Sequence, residues 1–253
     1  MPHLIRCLDL LQEHFPLVEK DELYAAVMCG EVSVDGHTVR DPQATVRDDA
    51  LLAWKPKGYV SRGGLKLDYA LSAWNIDVSA GGFLDAGAST GGFTDCLLSR
   101  GAPFVHAVDV GYNQLNWKLR SDNRVYVHER TNIMLVESLK PRPMAAVADL
   151  SFRSLRRVLT RILSLTREEW CLALVKPQFE YAGDNDAFDG VVRDERERSA
   201  VVRLLLSDLR EEDVYPQRIL RSPILGRKGN VEYLILFGRE EVLKEADYQV
   251  SLV

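Results

Sequence analysis

Apolar positions along the chain follow two different rhythms, one in each part of the sequence. In residues 4–15, Leu4, Leu8, Leu11 and Phe15 recur at helical spacing with Leu10 beside them, which predicts a first helix. Residues 20–29 form a second amphipathic segment, bounded by Pro16 and Gly30. Residues 32–39, with Asp35-Gly36 in the middle, read as strand, tight turn, strand; Asp41-Pro42 opens a further turn, and residues 50–54 supply another strand. These elements make a small α+β unit, closed by the linker-like Lys55-Pro56-Lys57-Gly58.

From Gly81 onward, strands alternate with helices. The pattern predicts strands at 83–88, 104–110, 125–128, 145–150, 171–175 and 232–237. Helices are expected at 92–100, 113–120, 154–165 and 194–209, and residues 183–190, rich in Asp and Asn, as a mobile loop. Near-continuous apolar strands separated by helices imply a mostly parallel sheet covered on both faces, an α/β fold.

Composition narrows the class. With 46% hydrophobic and 27% charged residues, the chain has the make-up of a folded globular protein. No apolar run approaches the ~18–20 residues of a membrane-spanning helix. The N-terminus has no basic stretch followed by a long apolar core, so no export signal and no membrane partner are expected. Cys7, Cys29, Cys96 and Cys171 lie far apart, which predicts neither disulfides nor a metal site and points to a reducing cytoplasm. The net charge is −5, and residues 1–57 hold six basic against ten acidic residues. Contacts to a polyanion would therefore have to come from local basic clusters.

Candidate chemistry begins at Asp85-Ala86-Gly87-Ala88-Ser89-Thr90-Gly91-Gly92-Phe93, which joins the first strand of the alternating region to its helix. Glycines there let backbone approach a ligand, and the following helix offers free N–H groups. The G-x-x-x-G-G spacing is neither the dinucleotide fingerprint nor a phosphate-cradling loop. A Gly-rich turn by itself says little, but Asp109 ends the next strand, where an acid can accept from ribose hydroxyls. Together they suggest a nucleoside-type ligand.

These segments, with Ala107-Val108-Asp109-Val110-Gly111-Tyr112, resemble the cofactor motifs of FtsJ-like ribose methyltransferases. Ser61-Arg62-Gly63-Gly64-Leu65-Lys66-Leu67, Glu129-Arg130-Thr131-Asn132 and Ala148-Asp149-Leu150-Ser151-Phe152 are similar to the TlyA family. Its members are often labelled haemolysins, and some methylate cytidine 2′-hydroxyls in ribosomal RNA. The resemblance implies a Rossmann-like methyltransferase fold with a seven-stranded sheet, S-adenosylmethionine as cofactor, and ribosomal RNA or a ribosomal subunit as partner. It also implies three parts: an RNA-binding domain of the ribosomal protein S-four type at 1–55, a linker at 56–60, and an FtsJ-like domain at 61–253. Such small domains usually carry basic residues along their second helix; here that helix begins Lys20-Asp21-Glu22, a departure from the pattern.

Carried over motif by motif, the cofactor set is Asp85, Gly87, Ser89, Gly91, Gly92, Phe93, Asp109, Asn132 and Asp149, and the reacting set is Lys66, Asp149, Lys176 and Glu232. The residue types suit the reaction. A ribose hydroxyl is a weak acid, so transfer needs an aligned methyl and a base against the hydroxyl. A lysine can serve where neighbouring positive charge and loss of water favour its neutral form. Asp149 and Lys176 both close strands, at the sheet edge where open α/β folds bind ligands; Lys66 or Glu232 alone would pass for ordinary surface or ion-pairing groups. Among the basic residues nearby, Arg62, Lys118, Arg153 and Arg157 are the expected RNA contacts, and Arg153, Arg156 or Arg157, and Arg161 are expected to form one polar stripe on the 154–165 helix. Three alternatives stay open: a methyltransferase on a non-RNA acceptor, which the acidity of residues 1–57 would suit, a non-enzymatic haemolysin, and an RNA-binding protein with an inactive cofactor site.

Overall fold

A computed structural model describes residues 3–16, 18–55, 58–151, 154–181, 188–244 and 247. The N-terminal region holds two helices, α1 (Cys7–His14) and α2 (Lys20–Met28), with five short strands: β1 (Leu4–Arg6), β2 (Val32–Val34), β3 (His37–Val39), β4 (Thr45–Arg47) and β5 (Leu52–Trp54). β1 pairs with β4, and β2 lies between β3 and β5. At the β2–β3 turn, Asp35 and Gly36 both take positive φ (48° and 82°), as the tight Asp-Gly hairpin requires. Cys7, Leu10, Leu11, Leu23 and Val27 are fully or almost fully buried in a small core of their own. The expected first helix is shorter than its apolar spacing suggested. Leu4 lies in β1 and is 73% exposed, so β pairing with β4 overrides the helical repeat there.

The remaining strands form one seven-stranded sheet in the order β11-β12-β10-β9-β6-β7-β8. They are β6 (Phe83–Ala86), β7 (Val105–Val108), β8 (Val125–His128), β9 (Ala145–Ala148), β10 (Cys171–Val175), β11 (Tyr215–Arg221) and β12 (Tyr233–Gly238). β6 through β10 run parallel, and β12 runs antiparallel between β10 and β11. The helices are α3 (Arg62–Ala73), α4 (Gly92–Ser99), α5 (Trp117–Arg120), α6 (Leu159–Ser164), α7 (Pro177–Glu180) and α8 (Glu195–Arg210). Two cores flank the sheet. Leu84, Ala146 and Ala173 face the one that includes α6 and α8, while Phe83, Ala145 and Leu172 face the one built on α3 and α4. The central strands read as continuous apolar runs because both of their faces are buried. The chain order reverses at β6, which has β7 on one side and β9 on the other, so a crevice opens at the carboxyl ends of β6 and β9.

The helix expected at 154–165 is broken: a short 3-10 turn at Leu155–Arg157 precedes α6, and Val158 between them leaves helical geometry (φ −122°). Of the loop expected at 183–190, residues 182–187 lie outside the described residues.

Candidate active site

The glycine loop follows β6 into α4. Gly87 has φ +86°, and a Cβ placed on it would stand 2.6 Å from the carbonyl oxygen of Asp149. Gly91, at φ +96°, caps α4 where a Cβ would meet Leu119. Both positions need glycine for conformation and for space. Asp109, after β7, holds the loop from the neighbouring strand: its Oδ2 accepts from Ser89 N–H at 2.8 Å and its Oδ1 from Gly111 N–H at 2.6 Å. Ser61, Lys66, Ser89, Phe93 and Asp149 line a small cleft beside this loop. Asn132 stands at the head of a 3-10 turn after β8, where its side chain caps Met134 N–H.

Asp85 does not line that cleft. It is fully buried beneath the loop, where Thr94 Oγ–H donates to its Oδ2 at 2.6 Å and its Oδ1 has no partner among the described residues. Burial is the main force that pushes its carboxyl up to about 7; the Thr94 bond opposes the rise and the nearby Asp149 and Asp109 carboxylates add to it.

The four residues of the expected reacting set come together as two ion pairs. Lys66, on α3, and Glu232, just before β12, are both buried, with Nζ 2.5 Å from Oε2. Gly226 closes over Glu232 so tightly that a Cβ there would lie 2.0 Å from Oε1. Lys176, which ends β10, has Nζ 2.5 Å from Asp149 Oδ1 and 3.2 Å from Ser151 Oγ. The parallel pairing of β9 with β10 sets Asp149 and Lys176 at adjacent strand ends. Nothing local in the sequence joins Lys66 to Glu232; β12, inserted beside β10, carries Glu232 back to α3.

Comparison with known proteins decides the family. Residues 59–239 match the family model of the FtsJ-like methyltransferases. The 16S/23S rRNA (cytidine-2′-O)-methyltransferase TlyA of Mycobacterium tuberculosis is 42% identical over 212 residues, 81% of this chain and 79% of that one. Hemolysin A of Brachyspira hyodysenteriae is 38% identical over 83% of this chain and 90% of its own length. Among solved structures, a hemolysin-named protein from Streptococcus thermophilus aligns with TM-score 0.71 and 33% identity, covering 100% of this chain and 95% of that one. The chain belongs to the FtsJ-like methyltransferase family.

The sheet order and the loop of this FtsJ-like methyltransferase fit S-adenosylmethionine. A glycine cradle with no room for Cβ atoms and an acid at the end of β7 suit a nucleoside group, and Asp85 supports the loop from beneath through Thr94. Among the described residues no cluster of three or more His, Cys, Asp or Glu is arranged to hold a metal ion, and no helix is long and apolar enough to cross a membrane.

The basic residues are more scattered than the sequence suggested. Arg62 is exposed, with Nη2 3.2 Å from the carbonyl oxygen of Leu225. Lys118 reaches out of α5, its Nζ 3.3 Å from Asp95. Arg157 is exposed, and Arg153 lies outside the described residues. Among the described residues the expected polar stripe is interrupted: Val158 breaks the helix, Arg156 pairs with Asp208 at 3.0 Å, and Arg161 donates to the Val136 carbonyl.

Sequence reasoning missed the groups that brace the site. Asp68 ties α3 to the end of α4 through Arg100 (2.7 Å) and to the segment before α3 through Tyr59 (3.1 Å), and Asp95 holds Val60 N–H at 2.9 Å. Each is an acid set among apolar helix residues, Leu67 and Ala70 for Asp68, Phe93 and Leu97 for Asp95, and that pattern was the available signal. Two exposed aromatic side chains were missed as well: Tyr112, with the Arg130 guanidinium 3.9 Å above its ring, and, separately, Trp117.

Proposed function

We propose that this protein transfers a methyl group from S-adenosylmethionine to a ribose 2′-hydroxyl of ribosomal RNA, with cytidine as the nucleotide. The observation that carries the reading is the pair of lysine–carboxylate contacts, Lys66–Glu232 and Lys176–Asp149, around one glycine loop. The cofactor brings an activated methyl group, so alignment and proton handling fall to the protein. Gly87, Ser89, Gly91, Gly92, Phe93, Asp109, Asn132 and Asp149 would hold it, with Asp85 supporting the loop from below.

Lys176 Nζ would accept or relay the proton of the 2′-hydroxyl after giving one of its own to Asp149, with Ser151 helping to hold the amine in place. Lys66, held by Glu232 in a buried pair, would keep positive charge beside the acceptor oxygen. Arg62, Lys118, Arg153 and Arg157 would position phosphates, which sets register without reading sequence. Residues 1–55 would form the RNA-binding domain, 56–60 the linker and 61–253 the methyltransferase domain. An enzyme acting on ribosomal RNA would work in the cytoplasm. The names of the TlyA relatives support this substrate.

The test is to map 2′-O-methylation in ribosomal RNA from cells with and without the gene, and then to restore the missing mark with purified protein and S-adenosylmethionine. Loss and restoration at a cytidine are expected. Identical maps, with no methyl transfer to ribosomal RNA in vitro, would refute the substrate.

A further inference from the structure

Two segments leave the sheet side by side after β9 and β10, and they meet twice. At their near ends, Lys176 Nζ touches Asp149 Oδ1 and Ser151 Oγ. At their far ends, Glu180 takes two hydrogen bonds from the other segment: Ser154 Oγ–H donates to Oε2 at 2.5 Å, and Leu155 N–H donates to Oε1 at 2.9 Å. Between Lys176 and Glu180 lies α7, with Pro177 at its first position and Phe179 N–H bonded to the Lys176 carbonyl at 2.9 Å. One short, stiff turn therefore joins the lysine to the carboxylate.

Glu180 is 5% exposed, and a buried carboxyl is costly unless it is bonded. Burial pushes its carboxyl upward, and the bonds from Leu155 and Ser154 work against that rise. An apolar side chain would fill the same space without this cost.

We propose that Glu180 is a positioning residue: it clamps Ser154 and Leu155 to residues 176–180 and so fixes Lys176 against Asp149 and Ser151. The proposal rests on the reading of Lys176 as the proton acceptor, and its experiment separates the two. In Glu180→Gln, the amide can accept from Leu155 N–H and donate to Ser154 Oγ, so the clamp survives with one bond reversed. Glu180→Ala removes both bonds. Ser154→Ala removes one of them, together with the cap that Ser154 Oγ gives Arg156 N–H, without a large cavity, and serves if Glu180→Ala does not fold.

Two readouts apply. The first is the rate at which acetic anhydride modifies Lys176 in the free protein, followed by mass spectrometry with Lys66 as internal reference. It is expected to rise about two- to tenfold in Glu180→Ala, the net worth of about one hydrogen bond. The second is methyl transfer, where kcat is expected to fall by about 10²-fold for a misplaced reacting group. KM for RNA and Kd for the cofactor should stay within about threefold, because neither ligand meets Glu180. Glu180→Gln should match the wild type in both readouts, and Ser154→Ala should move both in the Glu180→Ala direction by less. Unchanged Lys176 reactivity in a folded Glu180→Ala or Ser154→Ala protein would overturn the clamp, as would Glu180→Gln behaving like Glu180→Ala. A wild type that leaves ribosomal RNA unmethylated refutes the functional reading instead, while the acetylation arm still decides the clamp.

Discussion

Lys66 and Lys176 face the same loop but stand in different surroundings. Lys66 is bonded to a carboxylate that is only 3% exposed, while the partner of Lys176, Asp149, has a side chain 28% exposed and a carbonyl against Gly87. The two lysine side chains are equally exposed at 11%, but the carboxylate of the second pair is open both to the cleft and to solvent, where an incoming ribose would arrive. Lys176→Ala is expected to lower the single-turnover rate by about 10²–10⁴, the usual worth of a general base. Cofactor affinity, read by calorimetry, should stay within about threefold. Lys176→Arg should fail to restore the rate, since a guanidinium stays protonated. Near wild-type methylation by folded Lys176→Ala would move the role to Lys66. Asp85 offers a test that needs no substrate. Its folded pKa, raised by burial to about 7, lies above the unfolded value of about 3.9. The sign follows from linkage: the contribution of this group is most favourable below about pH 3.9 and is lost progressively as pH rises to about 7. Asp85→Asn should therefore gain stability over the wild type as pH goes from 5 to 8, measured by urea unfolding. An offset that does not change with pH would show that the carboxyl is not strained by its burial.

Elements buried on both faces were the most legible in the sequence. β10 matches the expected boundaries, and β6 and β9 differ only at their carboxyl ends, because a doubly buried strand leaves an unbroken apolar run; β8, a partly exposed edge strand, matches as well. Elements whose pattern is set by a partner were harder to read. β1 hides in a helical repeat because its pairing with β4 spans a long stretch of chain. β4 and β11 were not anticipated; β11 carries Pro216 at a bulge on the sheet edge and has only two buried positions, Pro216 and Ile219, three apart. α3 was missed because Gly63 and Gly64, poor helix formers, occupy its first turn. A close approach explains one of them: a Cβ at Gly64 would lie 2.8 Å from the Gly92 carbonyl, so α3 packs against the cofactor loop. The residues of the site were legible from their motifs, but their grouping into pairs depended on the sheet order. Gly87→Ala tests the loop as an element. The added methyl meets the Asp149 backbone and the residue must hold φ +86°, so the loop has to shift. Cofactor affinity should fall by at least about tenfold, since a displacement that breaks one good contact costs about 1.4 kcal/mol. The melting temperature should drop only slightly, because the loop is not part of the core. Unchanged affinity in calorimetry would show that the cofactor does not rely on this loop.

At the scale of the whole molecule, the acidity of the N-terminal region acquires a setting. The acids that depart from the usual basic second helix, Glu19, Asp21 and Glu22, line a groove whose other wall includes Arg62 and Arg221 of the methyltransferase region. Ala25 and Cys29 of α2 pack against Leu65, Tyr69 and Ile224, so α2 leans on the helix that carries Lys66. With part of α2 turned inward, and only six basic residues in positions 1–57, few phosphates can be neutralised from this region. Its expected part is to help select the RNA, not to supply most of the charge. A chain of residues 58–253 keeps both ion pairs and the glycine loop, and should bind S-adenosylmethionine within about threefold of the full chain, as only uniform contacts are lost. Its melting temperature should fall, because Leu65, Tyr69 and Ile224 become exposed to water. Methylation of ribosomal subunits should drop far more than cofactor binding. The salt dependence of RNA binding should change little on truncation, since the slope counts phosphate contacts at about 0.7–0.9 per neutralised charge. A folded truncate that no longer binds the cofactor would show that α2 holds α3 in its working position. A truncate with a much shallower salt slope would show instead that residues 1–57 carry the phosphate contacts despite their net negative charge.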